Sequence, residues 1–374
     1  MEKINIAMIG TGGMAKYHSY GYRVAGHFFD MDIRADLKLL VGRSDQKKHL
    51  AEKYGFEKYS TDVDDAFGDD IDLVDIITPN NLHIPLVKKA AAAKKIIFCE
   101  KPIGMGYREA AEGYSEVVKS GVLHCVDFNF RKATPVALIK DIIDRGVLGD
   151  IYTWKVRLLA DDASNIDNPI SWFYQKSTSG GGASYDLNVH LIDLAHFLVG
   201  GIKSVVSLQK TFVAERKSGD GRTREKVDTD DYTACLADFE NGAAGIFDAS
   251  RISTGDRLDS GFEIRGSKGA VKWDYQNFNF IEIYEAAGDR INGFRKVYTT
   301  EPGFPYMEGY YGMAGHGHHY DSLIVHQVHD LLDSIRRGQM PSPNLRDGLA
   351  AQQVLEAINI SHEQKRWVDL GEVE

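Results

Sequence analysis

Ile4-Asn5-Ile6-Ala7-Met8-Ile9 runs straight into Gly10-Thr11-Gly12-Gly13-Met14-Ala15, and the reading of that join decides the fold. The first six residues have the apolar, β-branched character of a buried strand, and Lys16-Tyr17-His18-Ser19-Tyr20 continues as a helix. Between them stands G-x-G-x-x-A, the form of a dinucleotide-binding turn. Gly10 turns tightly, Gly12 lets a pyrophosphate approach the backbone, and Ala15 keeps the helix close to the sheet. Gly10, Thr11, Gly12, Gly13 and Met14 are therefore the expected contacts of a dinucleotide. The alternative reading of this stretch is an ordinary tight strand-to-helix connection.

Working outward, strand and helix alternate to about residue 126. Leu37–Val41, Ile71–Ile77, Lys95–Cys99 and Val122–Val126 read as strands, and Gln46–Tyr54 and Ile84–Ala93 as helices. This predicts a doubly wound parallel sheet, with the ligand lying across its carboxyl edge. The second strand ends in Gly42-Arg43-Ser44. An NAD site commonly has a carboxylate there for the ribose hydroxyls, whereas Arg43 and Ser44 can stack on adenine or hold a 2′-phosphate, so the residues alone leave NAD and NADP both open. Two further strand ends carry polar residues into the same crevice: Thr78-Pro79-Asn80-Asn81-Leu82-His83 and Glu100-Lys101-Pro102. A lysine at the mouth of the crevice can stabilise an alkoxide.

The other informative stretch is Gly180-Gly181-Gly182-Ala183-Ser184-Tyr185-Asp186-Leu187-Asn188-Val189-His190-Leu191-Ile192-Asp193. On a helical period Asp186, His190, Asp193 and Phe197 form one stripe, beside an apolar stripe of Leu187, Leu191, Leu194 and Leu198. A histidine one turn beyond an aspartate can be oriented and tuned by it, which suits a general base working near neutral pH.

Composition sets the bounds. A chain of 374 residues exceeds one typical core, and 43% hydrophobic with 26% charged residues is ordinary for a soluble enzyme. The formal charge of −10 comes without a basic block, so nucleic acid and anionic membranes are poor partners and a small molecule is expected. Met1-Glu2-Lys3 leads directly into the first strand and no apolar run reaches spanning length, so a cytoplasmic location is expected. Cys99, Cys125 and Cys235 have no disulfide or zinc spacing.

From Ile151 the pattern changes. Ile151–Ala160, Ile202–Thr211, Asp231–Phe239, Ala244–Ser250, Phe262–Gly266, Ala270–Asp274, Phe280–Tyr284 and Arg295–Thr299 read as strands of a mostly antiparallel sheet. Helices such as Thr134–Arg145 should cover one face and leave the other open for homo-oligomerisation. Ser218–Lys226 reads as a charged loop, and helices at Tyr320–Arg337 and Arg346–Gln364 bracket Pro341-Ser342-Pro343. The expected fold is α/β: a dinucleotide-binding domain over 1–126, then an α+β substrate and oligomerisation domain with a large open sheet over 127–374. His316, His318, His319, His326 and His329 invite a metal reading, but no recognisable ligand spacing completes it. No metal is expected, and the loop at His316–His319 is taken as a wall of the substrate pocket.

Taken together, Gly10–Ala15, Thr78-Pro79-Asn80 with His83, Glu100-Lys101-Pro102, and the Gly180–His190 block resemble the glucose-fructose oxidoreductase, inositol dehydrogenase and MocA-like family of sugar and polyol dehydrogenases over essentially the whole chain. Softer matches are Asp127-Phe128-Asn129-Phe130-Arg131, Ser171-Trp172 and Glu301–Met307. These resemble the family's levoglucosan dehydrogenases and glycoside 3-dehydrogenases. The resemblance implies a Rossmann domain, NAD as cofactor with NADP not excluded, and Lys101, Asp186 and His190 as the catalytic set. It also places Glu100 near the nicotinamide and Pro102 after a cis peptide. Asn129, Arg131 and Trp172 are expected to hold the sugar. The implied reaction takes a hydride from a ring secondary alcohol, at C3 of a glucoside or anhydro-glucose. The alternatives are an inositol dehydrogenase and, in another class, a catalytically inactive nucleotide-binding regulator. Arg43 departs from the acidic residue of inositol dehydrogenases, and Asn188 stands where glycine is frequent.

Overall fold

The computed structural model describes residues 2–286, 292–310, 313 and 315–373. Its first sheet is parallel and six-stranded: β1 (Glu2–Ile9), β2 (Ile33–Val41), β3 (Lys58–Ser60), β4 (Leu73–Ile76), β5 (Ile96–Cys99) and β6 (His124–Val126), in the order β3-β2-β1-β4-β5-β6. That order reverses between β1 and β4, and the reversal opens a crevice at the carboxyl ends of the strands. Helices α1 (Gly13–Phe28), α2 (His49–Tyr54), α3 (His83–Ala92) and α4 (Tyr107–Ser120) connect the strands. The short strand β3 has no counterpart in the sequence reading, because three residues are too few to show a period.

After α5 (Thr134–Asp144) the second sheet is built from β7 (Ile151–Ala160), β8 (Ile202–Lys210), and, beyond the hairpin β9 (Glu215–Lys217) and β10 (Arg224–Lys226), from β11 (Tyr232–Phe239), β12 (Ala244–Ser250), β13 (Leu258–Gly266), β14 (Gly269–Asp274), β15 (Phe280–Glu285), β16 (Arg295–Tyr298) and β17 (Val368–Asp369). Its pairs are antiparallel apart from β7 with β12. The β9–β10 hairpin corrects the expectation of a plain loop over 218–226. Buried Arg216 on β9 donates to the carbonyls of Ala163 and Asn165, which pins the hairpin to the neighbouring loop.

One face of this sheet carries Trp154, Val156, Phe247, Phe262, Ile264 and Trp273 into the core. Against the same face lie α7 (Val189–Leu198) and α9 (Leu345–Gln364); Ser207 of β8, for instance, donates to the carbonyl of Ile358. The last helices do not stay with the second sheet. Ile324, Val325, Val328, Leu331 and Leu332 of α8 (Tyr320–Arg336) share a core with Ile6, Met8 and Tyr22, so packing crosses the division at residue 126. No helix among the described residues is long and apolar enough to cross a membrane.

Candidate active site

Gly10 has φ +128°, and a Cβ there would lie 2.6 Å from the carbonyl oxygen of Ile77. Only glycine passes so close to the neighbouring strand end. At Gly12 and Gly13 an added Cβ would meet nothing, and α1 begins there without any side-chain cap. The first N–H groups of a 16-residue helix therefore face open space, a cradle for phosphate. Arg43 and Ser44 are exposed at the end of β2, where the Tyr59 hydroxyl donates to the Ser44 carbonyl at 2.5 Å and fixes the turn. These residues fit a dinucleotide: Gly10–Met14 for the pyrophosphate, Arg43 and Ser44 for the adenosine end.

Glu100, Lys101 and Pro102 follow β5, and the Lys101–Pro102 peptide is cis. Lys101 Nζ donates to Asp186 Oδ1 at 2.7 Å and to the Asp186 carbonyl at 2.9 Å. Burial alone would lower the pKa of this lysine, but Asp186 and Glu100 outweigh it and hold the ammonium above its ordinary range. His190 is buried beside Phe130 and Phe128, with ring centroids 5.0 and 6.2 Å away. Burial, reinforced by the charge of Lys101, holds this imidazole well below its usual pKa, so it is neutral at pH 7. Its Nδ1 is buried and without a partner among the described residues.

The expected Asp186–His190 pair is not formed, and this corrects the helical-stripe reading. Ser184–Asn188 is a π-turn, and the α-helix begins only at Val189. The Asp186 carboxylate and carbonyl are both taken by Lys101 instead. Asp193, on the same expected stripe, goes elsewhere: its two oxygens accept from Arg131 Nε at 2.8 Å and from the Arg131 guanidinium at 2.5 Å.

That contact also corrects Arg131. Instead of holding substrate, it is buried between Asp193 and Asp347 and ties α7 to α9. His83 is corrected likewise: it is fully buried, with its nitrogens 2.7 Å from the Pro102 carbonyl and 2.8 Å from the Thr78 carbonyl. It braces the two crevice loops and has no surface left for a nucleotide. Asn80 is buried and donates to the carbonyl of Ser179, linking the β4 loop to the glycine run. Thr78 Oγ1 is buried without a partner, as is Asn129 Oδ1, while Asn129 Nδ2 donates to Asp127 at 3.1 Å. Trp172 stacks on Phe173 in the segment leading to the glycines.

The sequence reading missed three residues. Asp230 accepts from the N–H groups of Gly182 and Ser184 and from the hydroxyls of Ser184 and Thr233, fastening the π-turn at its start. A Cβ on Gly182 would lie 1.8 Å from the Asp230 carbonyl oxygen, so glycine is obligatory there too. Asp75 and His18 are buried partners behind Glu100. Asp75 had a signal, since a carboxylate inside Leu73-Val74-Asp75-Ile76 must find a partner; Asp230 had none.

The histidines at 316–329 go to separate partners. His318 Nε2 lies 3.1 Å from Met307 Sδ, His326 Nδ1 lies 2.8 Å from the Lys132 carbonyl, and His329 pairs with Asp330. His319 packs on Tyr275 and Phe278, and Tyr275 packs on Phe130, so a series of rings runs from this loop to His190.

Comparisons with known proteins identify the family. Residues 4–128 match the oxidoreductase family model with an NAD-binding Rossmann fold, and residues 136–272 match the GFO/IDH/MocA C-terminal domain. Levoglucosan dehydrogenase of Pseudarthrobacter phenanthrenivorans is 32% identical over 391 residues, covering 100% of both chains. Myo-inositol 2-dehydrogenase of Thermotoga maritima is 26% identical, covering 99% of each. A solved levoglucosan dehydrogenase in complex with NADH and levoglucosan superposes with a TM-score of 0.96 at 32% identity, over 99% of this chain and 100% of that one. The chain belongs to the GFO/IDH/MocA oxidoreductase family and is an NAD-dependent dehydrogenase whose named relatives oxidise sugars and inositols.

Proposed function

We propose that this dehydrogenase oxidises a ring secondary alcohol of a sugar, at C3 of a glucoside or anhydro-glucose, to the keto-sugar. The observation that carries the reading is the Lys101–Asp186 ion pair beside a buried, neutral His190, at the edge of a sheet whose first turn is open for a dinucleotide. The full-length similarity to levoglucosan dehydrogenase supports the choice of substrate.

His190, held neutral by its burial, takes the hydroxyl proton. Lys101 stabilises the alkoxide as it develops, because its ammonium is fixed by two bonds to Asp186 and loses nothing in reorganisation. Asp186 acts on the lysine, not on the imidazole. When bound, NAD supplies the hydride acceptor. Phe128 and Phe130 exclude water from the base, and Tyr275 and His319 extend the wall outward, where an aglycone could protrude.

Purified protein should be assayed with NAD against glucosides, levoglucosan, glucose and inositols, and the product carbon assigned by NMR. The reading expects a C3 carbonyl and preference for the glucoside or anhydro-sugar. Activity confined to inositols, or a carbonyl at C1, would overturn it while leaving the roles of Lys101 and His190 standing.

A further inference from the structure

Asp75 lies in the interior of β4, in register with Met8 and Phe98 on the flanking strands, and is fully buried. A carboxylate at the centre of a parallel sheet requires a compensating charge. His18, in the second turn of α1, supplies it. His18 Nδ1 lies 3.1 and 3.0 Å from the two oxygens of Asp75, and its ring stacks on Phe98 with centroids 4.9 Å apart. On the far side of the ring, Nε2 lies 3.3 Å from Glu100 Oε1 and 3.4 Å from Asp127 Oδ2. Glu100 and Asp127 are the residues that directly follow β5 and β6. The other oxygen of Glu100 accepts the backbone N–H of Lys101 at 3.0 Å.

One imidazole therefore joins carboxylates from three adjacent strands, and one of those carboxylates holds the backbone of the lysine that meets the substrate. A neutral imidazole has one N–H and one lone pair, so it would turn the lone pair toward a carboxylate on one side. Only the doubly protonated ring donates to both. Burial opposes that charge, but Asp75, Asp127 and Glu100 together outweigh it. Around the ring, the other titratable groups are Tyr17 and Tyr22 of α1, Cys99 of β5, Lys101, Cys125 of β6 and Tyr320 of α8, and Asp321 lies beyond Tyr17.

We propose that His18 is a positioning residue, a permanently charged imidazolium that clamps Glu100 and Asp127 to Asp75 and thereby fixes the strand-end loop carrying Lys101. The proposal rests on Lys101 acting in the reaction. His18, Glu100 and Asp127 also present three donor atoms close enough to hold a metal ion. The two states exclude each other, because Nε2 cannot carry a proton and a metal together.

The test begins with nitrogen NMR of histidine-labelled native protein without nucleotide, titrated from about pH 6 to 9. One imidazole should keep both nitrogens protonated throughout, and its signals should vanish in His18→Gln. A His18 ring that titrates near its ordinary pKa, or a stoichiometric divalent metal that moves its Nε2 signal when chelated, would overturn the assignment. In kinetics, His18→Gln should lower kcat about 10- to 100-fold, with NADH affinity by fluorescence within about threefold. Adding Asp75→Asn should restore part of the loss, since it removes the surplus negative charge. An unchanged kcat in His18→Gln, or a double variant no better than the single one, refutes positioning by charge. If His18→Gln does not fold, the native-protein titration decides the charge, and Asp75→Asn alone, which leaves His18 its other two carboxylates, decides the clamp by whether kcat falls. Turnover that survives Lys101→Met would fail the parent reading without touching the imidazole signals, so the two failures are distinguishable.

Discussion

Lys101 carries its charge in a largely buried position because Asp186 answers it, and burial, with the same charge adding to it, keeps His190 neutral. The two roles can be separated by mutation. Lys101→Met and His190→Ala should each cut kcat by about 10²–10⁴-fold, as expected for an electrostatic stabiliser and a general base. NADH affinity, measured by fluorescence titration, should stay within a few-fold. The pH profile follows from the signs. His190 works when deprotonated, and its pKa lies well below 6.5, so kcat/KM in the native enzyme should hold level down to about pH 6.5 and fall only below it. Lys101 works when protonated and is held above 10.5, so no alkaline limb is expected near neutrality. Asp186→Asn removes the chief opponent of burial at Lys101. An alkaline limb should then enter the profile about one pH unit or more lower than in the native enzyme, and an unmoved limb would mean that Asp186 does not support the lysine.

At the scale of elements, the site depends on how the π-turn 184–188 is held at its start and how α7 is held at its flank. Four hydrogen bonds converge on the Asp230 carboxylate. Asp230→Ala leaves those donors unsatisfied and should cost about 1–3 kcal/mol, with a fall in kcat because Asp186 shifts with the turn. Urea denaturation and steady-state rates on the same preparation check both. Arg131 and Asp193 form a buried ion pair that also reaches Asp347 on α9. Asp193→Asn leaves the buried guanidinium with Asp347 as its remaining carboxylate and should destabilise, by no more than about 3–5 kcal/mol. At a temperature where the variant remains folded, KM for the sugar should change little. A large rise in KM with unchanged stability would return Arg131 to the substrate.

Across the whole molecule, one row of the outer sheet face can be read strand by strand: Val206, Leu236, Ile246, Lys155, Glu263, Lys272, Glu282 and Lys296 stand side by side from β8 to β16. The first three are apolar and the other five alternate in charge. Leu208, Leu236 and Ile246 are each close to half exposed, which for neighbouring strands makes a continuous apolar patch. We propose that this face pairs with the same face of a second copy. Leu236→Glu with Ile246→Lys should dissociate the assembly in sedimentation velocity without unfolding it, and a native protein that sediments as a monomer refutes the pairing.

By itself the sequence determined what repeats along the chain or depends on neighbours in it. The Gly10–Ala15 turn, the parallel sheet, the period-two strands from Ile151 onward and the polar residues at the ends of β4 and β5 are local patterns, and all were legible. Family resemblance brought Lys101, Asp186 and His190 together, but which of them touch was settled only in three dimensions. The partner of Asp186 is Lys101, 85 residues away, so it could not be read from a helical wheel. Arg131, His83 and Asp230 illustrate the same limit: their partners lie 62, 19 and 48 residues away. Whether a buried polar group binds a ligand or braces a loop depends on what the fold carries to it, and separation along the chain carries no record of that.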